Sequence, residues 1–175
     1  RIKYPKTVRA YGSSYTDCYF DEAYRKAMQE KFETIYGAKN GRTVIVWAPT
    51  FRGNAGQQNQ KERTIGEAWI DELAKTPDYL VIKSLHPHMM KRGEKQPLTT
   101  GELLFSADLL ITDYSSVLFE YLLLDRPMLF FAPDLKTYGA DRGWYLSYED
   151  MPGVIVTEGE RLTTAVAQAL QADAY

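Results

Sequence analysis

The chain has 175 residues, of which 45% are hydrophobic and 13% aromatic, and 21 Lys and Arg against 23 Asp and Glu give a formal net charge of −2. This composition excludes a disordered tail, a collagen-like repeat and a disulfide scaffold, and the length fits a single domain over residues 1–175. The near-neutral charge, with pI ≈ 5.8, argues against nucleic-acid binding, which requires a strongly basic face.

The remaining bulk features favour a cytoplasmic protein. No apolar run approaches the ~18 residues needed to cross a membrane, and no secretory signal is visible. The chain begins with Arg1 rather than Met, so we expect a piece of a longer protein. Its single cysteine, Cys18, cannot form an intrachain disulfide or a zinc site built from several cysteines, and fits a small buried or half-buried side chain.

Taken in chain order, strand-like and helix-like segments alternate. Short apolar and β-branched runs predict strands at 8–11, 43–48, 79–82, 108–112, 127–131 and 154–156. Cap residues and glycine stops predict helices at 21–35, 64–74, 117–124 and 158–172, with one or two helical turns in 101–106. At 64–74, Thr64 and Glu67 have the spacing of a capping box. Loops are predicted at 51–63, 85–93 and 132–143.

The strands are continuous apolar runs rather than alternating ones, which is typical of strands buried on both faces. Strands that alternate with helices predict an α/β fold, in which a parallel sheet carries helices on both faces. Ligands of such sheets bind beyond the carboxyl ends of the strands. Four polar loops follow strands and are expected to converge at that edge: 50–53, 86–88, 113–116 and 134–143.

Residues 113–116 (Asp-Tyr-Ser-Ser) lie between a predicted buried strand and an apolar helix. The hydroxyls of Ser115 and Ser116, with the N–H groups of the first helical turn, can bind a phosphate. The alternative is an ordinary helix cap. Glu120 follows in the helix, where its carboxylate can accept hydrogen bonds from ribose hydroxyls or lie solvated at the helix rim.

Histidine and arginine residues occupy the other strand-end loops. His86 can donate to a phosphate, carry a positive charge beside it or act as an acid or base, and the alternative is a structural role. His86 and His88 without a carboxylate cluster make a poor zinc site. Arg52 and Arg142 suit a diphosphate clamp, because arginine forms bidentate pairs with phosphate, although arginine is also common on surfaces.

Several signatures are absent from the sequence. There is no G-x-x-x-x-G-K-[ST] phosphate loop, no G-x-G-x-x-G and no G-x-S-x-G, so ATPase, dinucleotide-binding and serine hydrolase readings are unsupported. There is also no D-x-D pair to hold a divalent metal. This favours charge neutralisation by arginine, histidine and helix N–H groups, with no required metal or cofactor.

Longer segments carry a more specific signal. Residues 46–52 include Ala-Pro-Thr-Phe-Arg, residues 85–88 include His-Pro, and residues 107–116 read Ala-Asp-Leu-Leu-Ile-Thr-Asp-Tyr-Ser-Ser. In this order, with further matches that extend to Arg142 and Gly143, they resemble the CDP-glycerol glycerophosphotransferases that polymerise teichoic acids. The similarity covers about residues 44–153.

The resemblance implies the C-terminal, Rossmann-like, donor-binding half of a glycosyltransferase B-type fold. Such enzymes transfer glycerol phosphate from CDP-glycerol to a hydroxyl of a membrane-linked polymer and release CMP. By position, His86 would contact the donor phosphates as the catalytic residue. The substrate-binding residues would be Arg52, His88, Asp113, Ser115, Ser116, Glu120, Arg142 and Gly143, with Glu120 on the ribose and the arginines framing the diphosphate.

The resemblance also implies partners that this chain does not supply. The acceptor, a lipid-linked polymer or polysaccharide, would bind through a missing N-terminal half that also carries the catalytic base. The full-length protein would lie at the cytoplasmic face of a bacterial membrane. We expect the isolated chain to bind donor without catalysing transfer.

One segment departs from the family pattern. Where the family shows Gly-x-Pro-Arg-x-Asp, residues 12–17 retain the glycine and the aspartate but lack the proline and the arginine. A related polyol phosphate such as ribitol phosphate, or a capsule or lipopolysaccharide acceptor, therefore stays open. The rival readings are a UDP-sugar glycosyltransferase or epimerase and a non-catalytic nucleotide-binding module. A response-regulator-like domain is disfavoured, because its acidic pocket near the first strand is missing.

Overall fold

The computed structural model describes residues 12–52, 65–86, 89–90, 95–142 and 147–171, with the side chains of 140–142 excepted. The predicted strand at 8–11 and most of the predicted loop at 51–63 lie outside the described residues. Within the described part, no helix is long and apolar enough to cross a membrane.

The centre of the fold is a five-stranded, entirely parallel sheet with strand order β2-β1-β3-β4-β5. The strands are β1 (Thr43–Ala48), β2 (Tyr79–Lys83), β3 (Leu109–Thr112), β4 (Met128–Phe131) and β5 (Val154–Val156). These bounds agree with the predicted strands to within one residue at each end. The chain proceeds from β1 to β2 on one side and to β3 on the other, so the switch point lies between β1 and β3, where open parallel sheets bind ligands.

Helices cover both faces of the sheet, as the sequence predicts. They are α1 (Glu22–Tyr36), α2 (Glu67–Leu73), α3 (Thr100–Leu104), α4 (Val117–Tyr121), α5 (Leu135–Arg142) and α6 (Leu162–Gln171). A 3₁₀ helix, Ser14–Phe20, precedes α1. The Asp21 side chain caps α1 by accepting hydrogen bonds from the N–H groups of Ala23 and Tyr24, and Gly37 ends it at a φ of 80°.

Two hydrophobic cores lie on opposite faces of the sheet. Val44 and Val46 of β1 point into the core that includes α1, α3 and α4. Ile45 and Trp47 point into the core that includes α2 and α6. Because successive side chains of a strand point to opposite faces, a continuous apolar run is what a two-sided sheet requires.

Helix α2 begins later than predicted. It starts at Glu67 with Gly66 at the N-cap position, so the expected capping box of Thr64 and Glu67 is wrong, although Thr64 itself lies outside the described residues. Gly66 has a φ of 84°, and a Cβ there would lie 2.7 Å from Cε1 of Phe131. A left-handed turn pressed against an aromatic ring therefore sets the start of the helix.

The predicted loop at 132–143 is also wrong over most of its length, because it contains α5. The N–H groups of Thr137 and Tyr138 donate to the Asp134 carbonyl and open the helix. The Tyr138 ring stacks on Tyr114 with centroids 3.8 Å apart. The sequence pattern of residues 135–142 does not indicate a helix, and the contact with Tyr114, which is distant in the chain, supports one.

Candidate functional site

A pocket of about 310 Å³ opens at the carboxyl edge of the sheet, beside the switch point between β1 and β3. The loops after β1, β2 and β3, together with α3, α4 and the N-terminal 3₁₀ helix, surround it. Its lining residues are Tyr15, Ala48, Pro49, Ser84, His86, Thr99, Thr100, Gly101, Ser115, Ser116, Val117 and Glu120. Four of the predicted site residues thus share one pocket: His86, Ser115, Ser116 and Glu120.

His86 lies three residues beyond the end of β2, with an exposed side chain. Its ring stacks against Phe51, with centroids 5.7 Å apart, so residues after β1 and after β2 meet here. The Met89 N–H donates to the His86 carbonyl at 2.7 Å and holds the His86 backbone. An imidazole held in this way at a pocket mouth can donate to an anion while remaining in contact with water.

The turn from β3 into α4 supplies two hydroxyls to the pocket. The Ser115 Oγ atom accepts a hydrogen bond from the Val117 N–H at 3.4 Å, whereas Ser116, at the N-cap position, makes no side-chain cap bond. The Ser116 hydroxyl is thus not committed to capping and can donate to a ligand. This arrangement has the polarity expected for a phosphate site.

Glu120 forms the opposite wall of the pocket and is held by a residue far away in sequence. The Tyr19 hydroxyl donates to its Oε2 atom at 2.8 Å. Burial of Tyr19 raises the pKa of its hydroxyl well above the ordinary value, and the bond to Glu120 raises it further, so the hydroxyl stays a donor. The negative charge of Glu120 is also the main cause that raises the pKa of Tyr15.

A polar network connects the end of β2 to the start of α3 along another wall. The Ser84 and Thr100 hydroxyls lie 2.8 Å apart, and the Gln96 side-chain amide donates to Ser84 Oγ at 2.9 Å. Thr99 and Glu102 form a reciprocal capping box at the start of α3. These bonds connect the residues of the wall to one another.

Arg52 and Asp113 lie at the same edge of the sheet but pair with each other instead of lining the pocket. The Nη1 atom of Arg52 donates to Asp113 Oδ2 at 2.6 Å, and its Nε and Nη2 atoms make a bidentate pair with Asp134. Asp113 also accepts a hydrogen bond from the Thr50 N–H. The cluster of Arg52, Asp113 and Asp134 joins the loops that follow β1, β3 and β4.

Burial and charge act against each other in this cluster. Burial alone would lower the pKa of Arg52, but the hydrogen bonds and charges of Asp134 and Asp113 hold it above its ordinary value. Burial would raise the pKa of Asp134, but Arg52 and the Tyr114 hydroxyl hold it below. The Arg52 guanidinium also lies 4.8 Å from the centroid of the Tyr114 ring. These shifts of pKa favour the charged forms of Arg52 and Asp134.

The other predicted site residues are not placed. His88 and Gly143 lie outside the described residues, and Arg142 ends α5 with a side chain that is not described. Among the described residues, no group of three or more His, Cys, Asp or Glu side chains is positioned to hold a metal ion. Sequence reasoning missed Tyr15, Tyr19 and Gly101 as pocket residues. Their sequence signal is weak, because they lie in two short helices and none of the three is a retained residue of a family motif.

Comparisons with known proteins show the family of the chain. The family model for CDP-glycerol:poly(glycerophosphate) glycerophosphotransferases matches residues 3–175. The chain is 31% identical over 179 residues to a teichoic acid ribitol-phosphate primase of Bacillus spizizenii, covering 96% of this chain and 46% of the relative. It is 33% identical over 175 residues to the ribitol-phosphate polymerase TarL of Staphylococcus aureus, covering 92% and 31%. The chain thus spans less than half the length of these curated relatives.

Solved structures show the same relationship. The wall teichoic acid polymerase TagF has a TM-score of 0.67 and 28% identity, over 89% of this chain and 42% of that one. A TagF variant soaked with CDPG has a TM-score of 0.61. A UDP-GlcNAc 2-epimerase of Methanocaldococcus jannaschii, at 20% identity and a TM-score of 0.53, shares the fold. The chain belongs to the CDP-glycerol:poly(glycerophosphate) glycerophosphotransferase family.

Proposed function

We propose that the pocket binds the nucleotide part of a CDP-activated polyol donor, and that this chain is the donor-binding half of a transferase acting on a cell-envelope polymer. The observation that supports this most is the meeting of His86, Ser115, Ser116 and Glu120 in one pocket at the switch point of the sheet. Hydroxyl and imidazole donors suit a diphosphate, and a carboxylate suits a ribose diol. The TagF variant that was soaked with CDPG, a structural neighbour of this chain, also supports the proposal.

In this proposal, the reaction is a displacement at the phosphorus that bears the polyol. An acceptor hydroxyl oxygen forms the new P–O bond, while the bond from that phosphorus to the bridging oxygen of CMP breaks. CMP leaves with the bonding electrons, and the acceptor proton passes to a base outside this chain. His86, as the catalytic residue, and the hydroxyls of Ser115 and Ser116 stabilise the charge that develops on the leaving phosphate.

In this scheme Arg52 also has a structural role, in addition to its predicted contact with the diphosphate. Its pairs with Asp113 and Asp134 hold the turn that presents Ser115 and Ser116. Contacts of Arg52 and Arg142 with the diphosphate stay predictions. The contribution of His88 and Gly143 also stays a prediction. The same holds for three wider expectations: independence from a metal or cofactor, a single domain over residues 1–175, and a peripheral position at the cytoplasmic face of the membrane.

The experiment is calorimetry on the 175-residue chain with CMP, CDP-glycerol, CDP-ribitol and a UDP-sugar. Binding of CMP and of a CDP-polyol at least ~10-fold tighter than that of the UDP-sugar is the expected result. Tighter binding of the UDP-sugar would establish the rival sugar-nucleotide reading. Absence of binding by all four ligands would contradict a donor site in this chain.

CDP-ribitol is the second candidate donor, because two of the relatives that cover most of this chain are ribitol-phosphate enzymes. The ribitol-phosphate primase and the ribitol-phosphate polymerase TarL cover 96% and 92% of this chain. A glycerol-phosphate primase of Bacillus subtilis covers 83% at 31% identity. The two CDP-polyols share the nucleotide and differ only beyond the second phosphate, so their difference in affinity reports the polyol part of the site directly.

A further inference from the structure

Gly101 lies in the pocket wall, at a position where the backbone conformation does not require a glycine. It lies in the first turn of α3, and its φ is outside the left-handed region where glycine is preferred. Glycine is among the least favourable residues within a helix. An alanine would therefore suit the local structure better, and what distinguishes the two residues here is the space beside Gly101.

Three oxygen atoms border the space that a side chain at Gly101 would fill. A Cβ there would lie 3.6 Å from Glu120 Oε2, 3.6 Å from the Tyr15 hydroxyl and 3.9 Å from the Tyr19 hydroxyl. All three are ordinary van der Waals distances, so a methyl group fits without a clash. It would nevertheless fill a recess that is lined by two hydroxyls and a carboxylate, in which hydroxyl groups of a ligand can form hydrogen bonds.

Tyr19 fixes the carboxylate that forms the back of this recess. Its hydroxyl donates to Oε2 of Glu120. The residue is 3% exposed, and its ring stacks on Phe105 with centroids 4.8 Å apart. The donor is thus anchored in the core and not in the pocket.

We propose that Gly101 and Tyr19 determine the specificity of this pocket for a ribose diol, with Gly101 leaving room for the two hydroxyls and Tyr19 positioning the Glu120 carboxylate that accepts from them. This inference rests on the proposed function, because it assigns the sugar-binding part of the same pocket. It places the specificity at Tyr19 in the N-terminal 3₁₀ helix and at Gly101 in α3, two positions outside the matched motifs.

The test compares the affinity for CMP with that for 2′,3′-dideoxy-CMP in the 175-residue chain. The ratio of the two affinities is the readout, since a merely structural effect weakens both ligands together. In the unchanged chain we expect a ratio of at least ~10, which is the loss typical of hydrogen bonds to a charged group. Gly101→Ala should bring the ratio below ~3, with a thermal midpoint equal to or above that of the parent chain.

Tyr19→Phe should lower the same ratio, because the carboxylate loses its anchor. The matched control is Tyr121→Phe, which removes another buried hydroxyl whose hydrogen bond, 3.2 Å to the Ala107 carbonyl, lies away from the pocket. The control should leave the ratio unchanged. If Tyr19→Phe does not fold, Gly101→Ala decides alone, since it adds a methyl group where one fits.

The outcomes separate this inference from the proposed function. No binding of CMP by the parent chain contradicts the proposed function. Binding of CMP with a ratio near one contradicts a ribose subsite at Glu120. A high ratio in the parent chain that persists in Gly101→Ala contradicts the role of Gly101, and one that persists in Tyr19→Phe contradicts the role of Tyr19. Both of these last results leave the donor site intact.

Discussion

The Nη1 atom of Arg52 lies 2.6 Å from the Oδ2 atom of Asp113, and this ion pair is almost completely withdrawn from water. The side chains are 10% and 3% exposed. Residues after β1 and after β3 are thereby tied together directly beside the pocket. The serine turn that follows Asp113 depends on this connection for its position.

Arg52→Ala should lower the free energy of unfolding by about 3 kcal/mol, because it leaves Asp113 and Asp134 buried without their cation. Urea denaturation measures the loss. Arg161→Ala is the control, since Arg161 is 76% exposed and its contact with Glu158 is 3.6 Å long. Its loss should stay below about 0.5 kcal/mol. Equal losses in the two variants would mean that the buried cluster does not stabilise the fold.

The acid sensitivity of the fold should depend on Asp134. Its pKa in the folded chain lies below the ordinary value, so its contribution to stability is complete above about pH 3.9 and is lost as the pH falls through the lowered folded pKa. Asp134→Asn should therefore be less stable at neutral pH and should lose less stability on acidification. Urea denaturation at about pH 6 and about pH 3 measures both effects.

The control for this pH dependence is Asp150→Asn. Asp150 is an exposed aspartate that lies outside the buried cluster. The Asp150→Asn variant is measured at the same two pH values. It should retain the acid sensitivity of the parent. If Asp134→Asn loses stability on acidification as steeply as the parent does, then Asp134 is not the group responsible.

Gly66→Ala and Gly41→Ala form a matched pair that separates backbone strain from packing. Both glycines have a φ above 79°, but a Cβ at Gly41 meets nothing within 4 Å, whereas a Cβ at Gly66 meets Phe131 at 2.7 Å. Gly41→Ala should cost about 1 kcal/mol of unfolding free energy, from strain alone. Gly66→Ala should cost at least about 1 kcal/mol more, from the forced shift of the ring. Comparable losses in urea denaturation would contradict the close contact.

Ser116→Ala should weaken CMP binding about fivefold without changing stability, because the hydroxyl makes no cap hydrogen bond that folding would lose. Calorimetry and the thermal midpoint measure the two effects. Ser147 offers a control, since it also precedes a helical turn without a side-chain cap bond and lies outside the pocket. CMP affinity that is unchanged in Ser116→Ala would remove this hydroxyl from the phosphate site.

His86→Ala should weaken CMP binding at least about tenfold while the chain still folds, because an exposed imidazole contributes little to the core. Under the proposed function, the same change in a protein that joins this chain to an acceptor-binding half should remove most of the transfer activity. Calorimetry on this chain and a CMP-release assay on that two-domain protein measure the two effects. Full activity of the variant would exclude His86 from the mechanism.

The sequence predicts those parts of the fold that depend on residues close together in the chain. The run 43–48 predicts β1 to the residue, because a buried parallel strand needs continuous apolar side chains. The meeting of His86, Ser116 and Glu120 follows from topology, since the carboxyl ends of parallel strands share one edge. Tyr19 lies 101 residues from its partner Glu120, and no local pattern indicates such a bond. Helix α5 was missed for the same reason, because the stacking of Tyr138 on Tyr114 supports it.

The alternating cores of β1 have a consequence for how related chains can differ in length. Adding or removing one residue in this strand before Trp47 would move Trp47 to the face that now holds Val46, so that large side chains would enter the wrong core. It would also shift Pro49 and Thr50, and with them the floor of the pocket and the partner of Asp113. Length changes among family members should therefore be absent from this strand and accumulate in the connections between elements.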